Sequence, residues 1–360
     1  MVIFITFELA PYLQSIEMRA IVHTGKEEIS VQNVPKPEPT STEVLVRVLR
    51  AGLCGSDVHA YGGAEGFEWI KMPRIMGHEY TGEVVAVGDD VDRVSVGDTI
   101  VEAPIHPCGE CFQCRNDEEN VCQNTTITGM ATDGAFTEYI TVGAEFVHVV
   151  PDSVPPELLA ITEPLSIATR AVYVRSGLMP GDTVLVEGPG PIGALIAVVA
   201  DAMGADVVVS GVGKDTEYRL PLLADKGMET VDITAKSLED VAESATDGIG
   251  FDAVFDATGH PSGIPTGLDV VRKGGELVVV GLPDGSSEIA FTPAVRGEMD
   301  ITASYGALWS DFERSIRLLH DGELDLDGLI DTRYSSSDPQ QAIDDFKAAK
   351  TIKPVFDFEH

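Results

Sequence analysis

The stretch Asp182-Thr183-Val184-Leu185-Val186-Glu187 runs straight into Gly188-Pro189-Gly190-Pro191-Ile192-Gly193, and a small-residue helical pattern follows over 194–203. This is G-x-G-x-x-G in a strand, turn, helix setting, the context that gives the motif its meaning. Without side chains at Gly188 and Gly190 the backbone can turn tightly and approach a pyrophosphate. Gly193 lets the helix sit close to the sheet, Pro191 and Ile192 belong to the same candidate cofactor-binding turn, and the helix N-terminus supplies free N–H groups and positive dipole. A second strand pattern, Asp206-Val207-Val208-Val209-Ser210, comes at the interval of a βαβ unit, and others fall at 251–256, 277–281 and 300–304. Such alternation predicts an α/β fold, a doubly wound parallel sheet that binds a dinucleotide.

At the end of that second strand, where NAD-type sites place an acid for the ribose 2′-hydroxyl, stands Gly211. Room for a phosphate there, with Lys214 and Arg219 just beyond to pair with it, favours NADP over NAD. The alternative is that Lys214 and Arg219 are surface charges and that Asp215 or Glu217 receives the ribose.

Upstream, 18–150 alternates short strands with Gly- and Pro-rich turns and reads as a mainly β region. It holds Cys54-Gly55-Ser56-Asp57-Val58-His59 and Gly77-His78-Glu79, a thiolate, an imidazole and a carboxylate of the kind zinc takes in tetrahedral sites. Ser56 and His59 lie where a proton leaving a metal-bound alcohol could be passed on. The plainer alternative is a buried cysteine acting as a small hydrophobe and a histidine held by a neighbour. Cys108, Cys111, Cys114 and Cys122 form a C-x2-C-x2-C-x7-C array, which closes a tetrahedron around a structural zinc with no open position. Two disulfides are the alternative, disfavoured by the strain of such short loops. With Cys54 these account for all 5 cysteines.

A length of 360 residues suits two domains. The formal net charge of −35 argues against nucleic acid or an anionic membrane as partner, because both require a basic face. The acidic residues are spread along the chain and read as a solvated shell of the halophilic type, so structure or activity is expected to fall as salt is withdrawn. No apolar run reaches the roughly 18 residues of a membrane span. Met1-Val2-Ile3-Phe4-Ile5-Thr6-Phe7 lacks a basic flank and a cleavage site, so it is not read as a signal peptide. The first 17 residues are an upstream extension or a misassigned start, and a cytoplasmic location is expected.

In order and spacing these motifs, with Glu163-Pro164-Leu165, resemble the zinc-containing medium-chain dehydrogenases, from Met18 to the C-terminus. The resemblance implies a GroES-like catalytic domain over 1–168 and 310–360, with a structural zinc lobe at about 104–124, and a Rossmann domain over 169–309. It implies that Cys54 and His78 are catalytic zinc ligands, with Glu79 and Glu163 as carboxylates that bind the metal or its water. Ser56 and His59 resemble the proton relay, and Asp57 the carboxylate that orients His78. The implied activity is hydride transfer between a secondary alcohol and NAD(P), by a homo-oligomer (dimer or tetramer). Gly55-Ser56-Asp57-Val58-His59 and Glu163-Pro164-Leu165-Ser166 most resemble the sorbitol or iditol branch. The stretch 70–79 and Cys122-Gln123-Asn124 are similar to threonine dehydrogenases, but Ser166-Ile167-Ala168 departs from the Gly-Asn-Ala run found there. Tyr61, Phe67, Trp69 and Arg296 are candidate pocket residues. A non-catalytic dehydrogenase-fold binding subunit is the remaining alternative, opposed by the intact metal and relay set.

Overall fold

The computed structural model describes residues 17–283 and 285–358; the apolar stretch at the extreme N-terminus lies outside them. Six parallel strands form one sheet, in the order Glu229–Asp232, Asp206–Gly211, Thr183–Glu187, Phe251–Asp256, Val271–Val279 and Asp300–Ala303. Both faces are covered, which is why these strands read as nearly continuous apolar runs. Val184 and Val186 turn toward the helix Pro191–Ala202 and the larger core, while Leu185 joins the opposite core with Val254 and Leu268. The strand order reverses between Thr183–Glu187 and Phe251–Asp256, the switch point where open α/β sheets bind ligands.

One strand departs from its sequence pattern. The segment expected at 277–281 runs Val271–Val279, because Lys273-Gly274-Gly275, which reads as a turn, is absorbed by a register shift opposite Phe251 and Ala253.

The remaining sheets are mainly antiparallel. The largest joins Val147–Val149, Thr99–Glu102, Glu79–Val87, Glu43–Gly52, Lys353–Asp357 and Ile330–Ser335 in that order, with Tyr139–Gly143 also paired to Glu43–Gly52. Its central strand brings together segments remote in the chain: Gly52 is the register partner of Glu79 on one side and of Val355 on the other. Hence the last strand, Lys353–Asp357, reaches the neighbourhood of Cys54. A separate two-stranded ribbon, Ile105–His106 with Thr126–Ile127, frames the four-cysteine lobe.

Candidate active site

Cys54 caps the helix Gly55–Gly62, and Asp57 Oδ2 accepts from the Cys54 backbone N–H at 3.0 Å. The turn before His78 needs a glycine twice over: Gly77 has φ +91°, and a Cβ there would lie 2.4 Å from the Phe136 ring. That turn delivers His78, followed by Glu79 at the head of the strand Glu79–Val87. One ligand atom each from Cys54, His78 and Glu79 lies within 4.8 Å of the others, and His78 and Glu79 are buried.

Behind the histidine, His78 Nδ1 stands 3.8 Å from Asp57 Oδ1, and among the described residues neither atom has another partner, nor does Glu79 Oε1 have one. Glu79 Oε2 is paired with the ammonium of Lys353, which also donates to the Leu53 carbonyl at 3.0 Å. Gly52 makes room for the pair, since a Cβ there would come within 2.5 Å of Glu79 Oε2. Burial opposes charge on His78, but Asp57, Cys54 and Glu163 outweigh it and hold its pKa well above the ordinary value. A cysteine sulfur, an imidazole and a carboxylate with an unpartnered buried oxygen, converging within 4.8 Å, fit a zinc ion.

Glu163, on the helix Thr162–Arg170, stands outside this triad but close enough to act on it. Burial, with Glu79 and Asp57 as like charges, pushes its carboxyl up to about 7, against the pull of His78 and Lys353. Ser56 Oγ is buried without a partner, and the exposed His59 stacks on Phe67 at 5.8 Å and 9°. Among the described residues, no hydrogen bond joins Ser56 to His59.

In the four-cysteine lobe every thiol is free, and Cys111 Sγ lies 3.4 Å from Cys114 Sγ and 3.7 Å from Cys122 Sγ. These are close to the edges of a tetrahedron with metal–sulfur bonds of about 2.3 Å, and far from a disulfide. The backbone N–H groups of Cys108 and Asn124 donate to Cys122 Sγ, and those of Cys114 and Gln123 hold the Cys111 thiol down to about 6. Burial and the neighbouring sulfurs push the Cys114 thiol up to about 12, as four thiols crowded without a cation would; their tetrahedral spacing fits a second zinc.

At the glycine turn, a Cβ on Gly193 would lie 1.9 Å from the Gly188 carbonyl oxygen, and one on Gly188 would press on Thr258 at 3.1 Å. Around Gly190 the space is open, at the N-terminus of a 12-residue helix that starts with Pro191 and Ile192. An open helix start of this shape fits a pyrophosphate.

At the end of the neighbouring strand a Cβ on Gly211 would meet Pro189, Leu220 and Asp215 at 3.0–3.2 Å, so a larger residue would be crowded there. One expectation at this strand end needs correction. Arg219 was expected to meet a phosphate. Instead it is buried, its guanidinium donating to the carbonyls of Thr351 at 2.9 Å and Phe346 at 3.0 Å and pairing with Asp215. Lys214 remains exposed on the turn Gly213–Asp215. Tyr61, a candidate pocket residue, is buried and donates to the Glu27 carbonyl and Gln340, a core role.

The residue that the sequence reading passed over is Lys353. A single lysine in the apolar run Thr351-Ile352-Lys353-Pro354-Val355-Phe356 was the available signal, because a lysine is buried only when paired.

Two family models match the chain: an alcohol dehydrogenase GroES-like domain over residues 40–152 and a zinc-binding dehydrogenase over 191–321. The L-threonine 3-dehydrogenase of Pyrococcus abyssi is 37% identical across 95% of this chain and 99% of its own. The sorbitol dehydrogenase of Bacillus subtilis is 33% identical, over 91% and 93%. Among solved structures, a protein of Sinorhizobium meliloti 1021 described as a zinc-binding dehydrogenase bound to NADP superposes with a TM-score of 0.87 at 29% identity, covering 96% of this chain and 100% of that one.

Proposed function

The chain belongs to the zinc-containing medium-chain dehydrogenases, zinc- and NAD(P)-dependent alcohol oxidoreductases, and from that premise we propose that it oxidises an uncharged polyol or sugar at a secondary hydroxyl. The observation that carries the choice of substrate is electrostatic. Glu163, Glu79 and Asp57 crowd the triad, and Lys353, the lysine that acts on Glu163, is paired with Glu79. A substrate carboxylate or phosphate would meet that negative field.

In this reading Cys54, His78 and Glu79 hold the catalytic zinc, with Glu163 on the substrate side. The metal, when bound, supplies Lewis acidity that makes a hydroxyl a better proton donor, and NAD(P) supplies the hydride acceptor. Asp57 fixes the orientation of His78. Lys353 keeps one oxygen of Glu79 turned away from the centre and leaves the other free. Ser56 would accept the departing proton as it releases its own to a bridging water, and His59, at the surface, would pass a proton from that water to bulk solvent. Gly188, Gly190 and Gly193, with the helix start at Pro191 and Ile192, seat the pyrophosphate, and Lys214 is the cation left to favour NADP. Cys108, Cys111, Cys114 and Cys122 hold the structural zinc.

The catalytic domain is assigned to 1–168 and 310–360 and the cofactor domain to 169–309, in a cytoplasmic homo-oligomer. Among the described residues no helix is long and apolar enough to cross a membrane.

A second reading, oxidation of L-threonine, is favoured by the 37% identity to a threonine dehydrogenase over nearly the whole chain. The test is initial-rate kinetics of the zinc-loaded protein with sorbitol, other polyols, aldoses and L-threonine, each with NAD and NADP. Turnover of a polyol or sugar well above that of threonine is expected; the reverse order would give the site to the amino acid.

A further inference from the structure

Behind the glycine turn lie two carboxylates that the proposed chemistry does not use. Glu187 ends the strand Thr183–Glu187 and Asp256 ends Phe251–Asp256, and the two are register partners on the adjacent parallel strands of the switch point. Glu187 is 3% exposed and Asp256 0%. Their side chains share a face of the sheet, roofed by the helix Gly263–Val270: a Cβ on Gly267 would come within 2.8 Å of Glu187 Oε2, and one on Gly263 within 2.5 Å of Asp256 Oδ1.

Glu187 Oε1 accepts from the Thr266 hydroxyl at 2.8 Å, and Asp256 Oδ1 accepts from the Thr258 backbone N–H at 2.9 Å and hydroxyl at 2.6 Å. Among the described residues, Glu187 Oε2 and Asp256 Oδ2 have no partner. The charged groups of those residues that act on this pair are the two carboxylates themselves and His260, which faces Asp256 from the following loop, with no lysine or arginine among them. Two bare negative charges cannot be kept side by side in such a place.

We propose that the pair holds a single proton, resident on Glu187, and that this proton makes Glu187 a positioning residue for the cofactor cradle. The site of the proton follows from the surroundings. Asp256 has two hydrogen bonds and the positive end of the overlying helix to favour its charge, whereas Glu187 has one hydroxyl. Burial, with Asp256 as a like charge, pushes the Glu187 carboxyl up to about 8. The link to the cradle is mechanical: the Ala257 N–H donates to the Glu187 carbonyl at 3.0 Å, and Gly188 and Gly193 pack on Ala257 and Thr258. When Glu187 releases its proton to solvent, repulsion between the two strand ends opens the joint on which the turn rests. The folded chain keeps this proton to higher pH than the unfolded one, so its contribution is complete at acid pH and lost as pH rises toward and through about 8.

The inference rests on the proposed seat of the cofactor at the glycine turn, and two measurements separate them. In cofactor-free protein, infrared difference spectra across the alkaline range should show a protonated-carboxyl band that Glu187→Gln removes. For cofactor binding followed by fluorescence without substrate, the dissociation constant should rise about tenfold from pH 7 to 9, the slope of one proton. Glu187→Gln should flatten that rise, and Asp256→Asn should move its midpoint to lower pH. No carboxyl band in the wild-type protein, or an unchanged slope in Glu187→Gln, overturns the proposal. Recovery of alkaline affinity by Na⁺ or K⁺ over choline at equal ionic strength also overturns it, because a metal cation then closes the pair. A band that behaves as expected without cofactor binding at pH 7 would instead fault the cofactor's seat.

Discussion

Lys353, five residues before the last described one, reaches through the central sheet to close an ion pair with Glu79, 274 positions earlier and next to the candidate ligand His78. Lys353 and Glu79 are 3% and 0% exposed. Together with the Leu53 carbonyl, which precedes Cys54, the lysine ties the C-terminal strand to both segments that carry the metal-binding side chains.

Breaking that pair from one side leaves a buried charge. Lys353→Met should therefore destabilise the protein by about 3–5 kcal/mol, whereas the double variant Lys353→Met/Glu79→Gln should recover much of the loss. Denaturant melts of the four proteins in the cycle check this; additive losses would mean that the two side chains are not coupled.

The two cysteine sites should separate in function. Cys54→Ala should remove one zinc per chain and abolish turnover, while cofactor binding, measured by fluorescence, stays within about twofold, since the glycine turn lies elsewhere. Cys108→Ser should chiefly lower the melting temperature, because that metal's binding energy is folding energy. Metal analysis and calorimetry on both variants provide the check.

Lys214 and Arg219, alike in the sequence, should behave differently. Removing the exposed amine in Lys214→Ala should weaken NADP about tenfold and leave NAD nearly unchanged. Arg219→Ala should leave the NADP/NAD ratio alone and cost stability, since it strips donors from the Thr351 and Phe346 carbonyls. Equal loss of both cofactors in Lys214→Ala would show that this amine contacts no 2′-phosphate.

Acid should act through His148, which packs between the helix Trp309–Asp321 and its own strand, stacked on Trp309 at 3.5 Å and Phe312 at 5.3 Å. Burial, helped by nearby Arg93, pushes its pKa down to about 4. The folded chain thus holds His148 neutral where the unfolded chain would protonate it. The associated stability, about 3 kcal/mol at most, is intact above pH 6.5 and is lost as pH falls toward 4. His148→Phe should flatten the stability profile over that window in urea melts, and an unaltered profile would assign the acid sensitivity to other groups.

Much of this protein was legible in its sequence because the determining signals are local. A strand, three glycines and a helix within 182–203 specify the strand–turn–helix unit, since tight turns and close backbone approach depend on residues adjacent in the chain. Likewise, four thiols within 15 positions converge into one candidate metal group, and the cysteine and histidine stretches into another. Tertiary structure alone decided which charges face one another. It turned Arg219 from the cofactor toward two carbonyls near the C-terminus, gave Glu79 its lysine and set Glu187 beside Asp256. Those outcomes depend on strand register and burial between segments tens to hundreds of residues apart. A charge shows neither its partner nor its dielectric until the sheets are assembled.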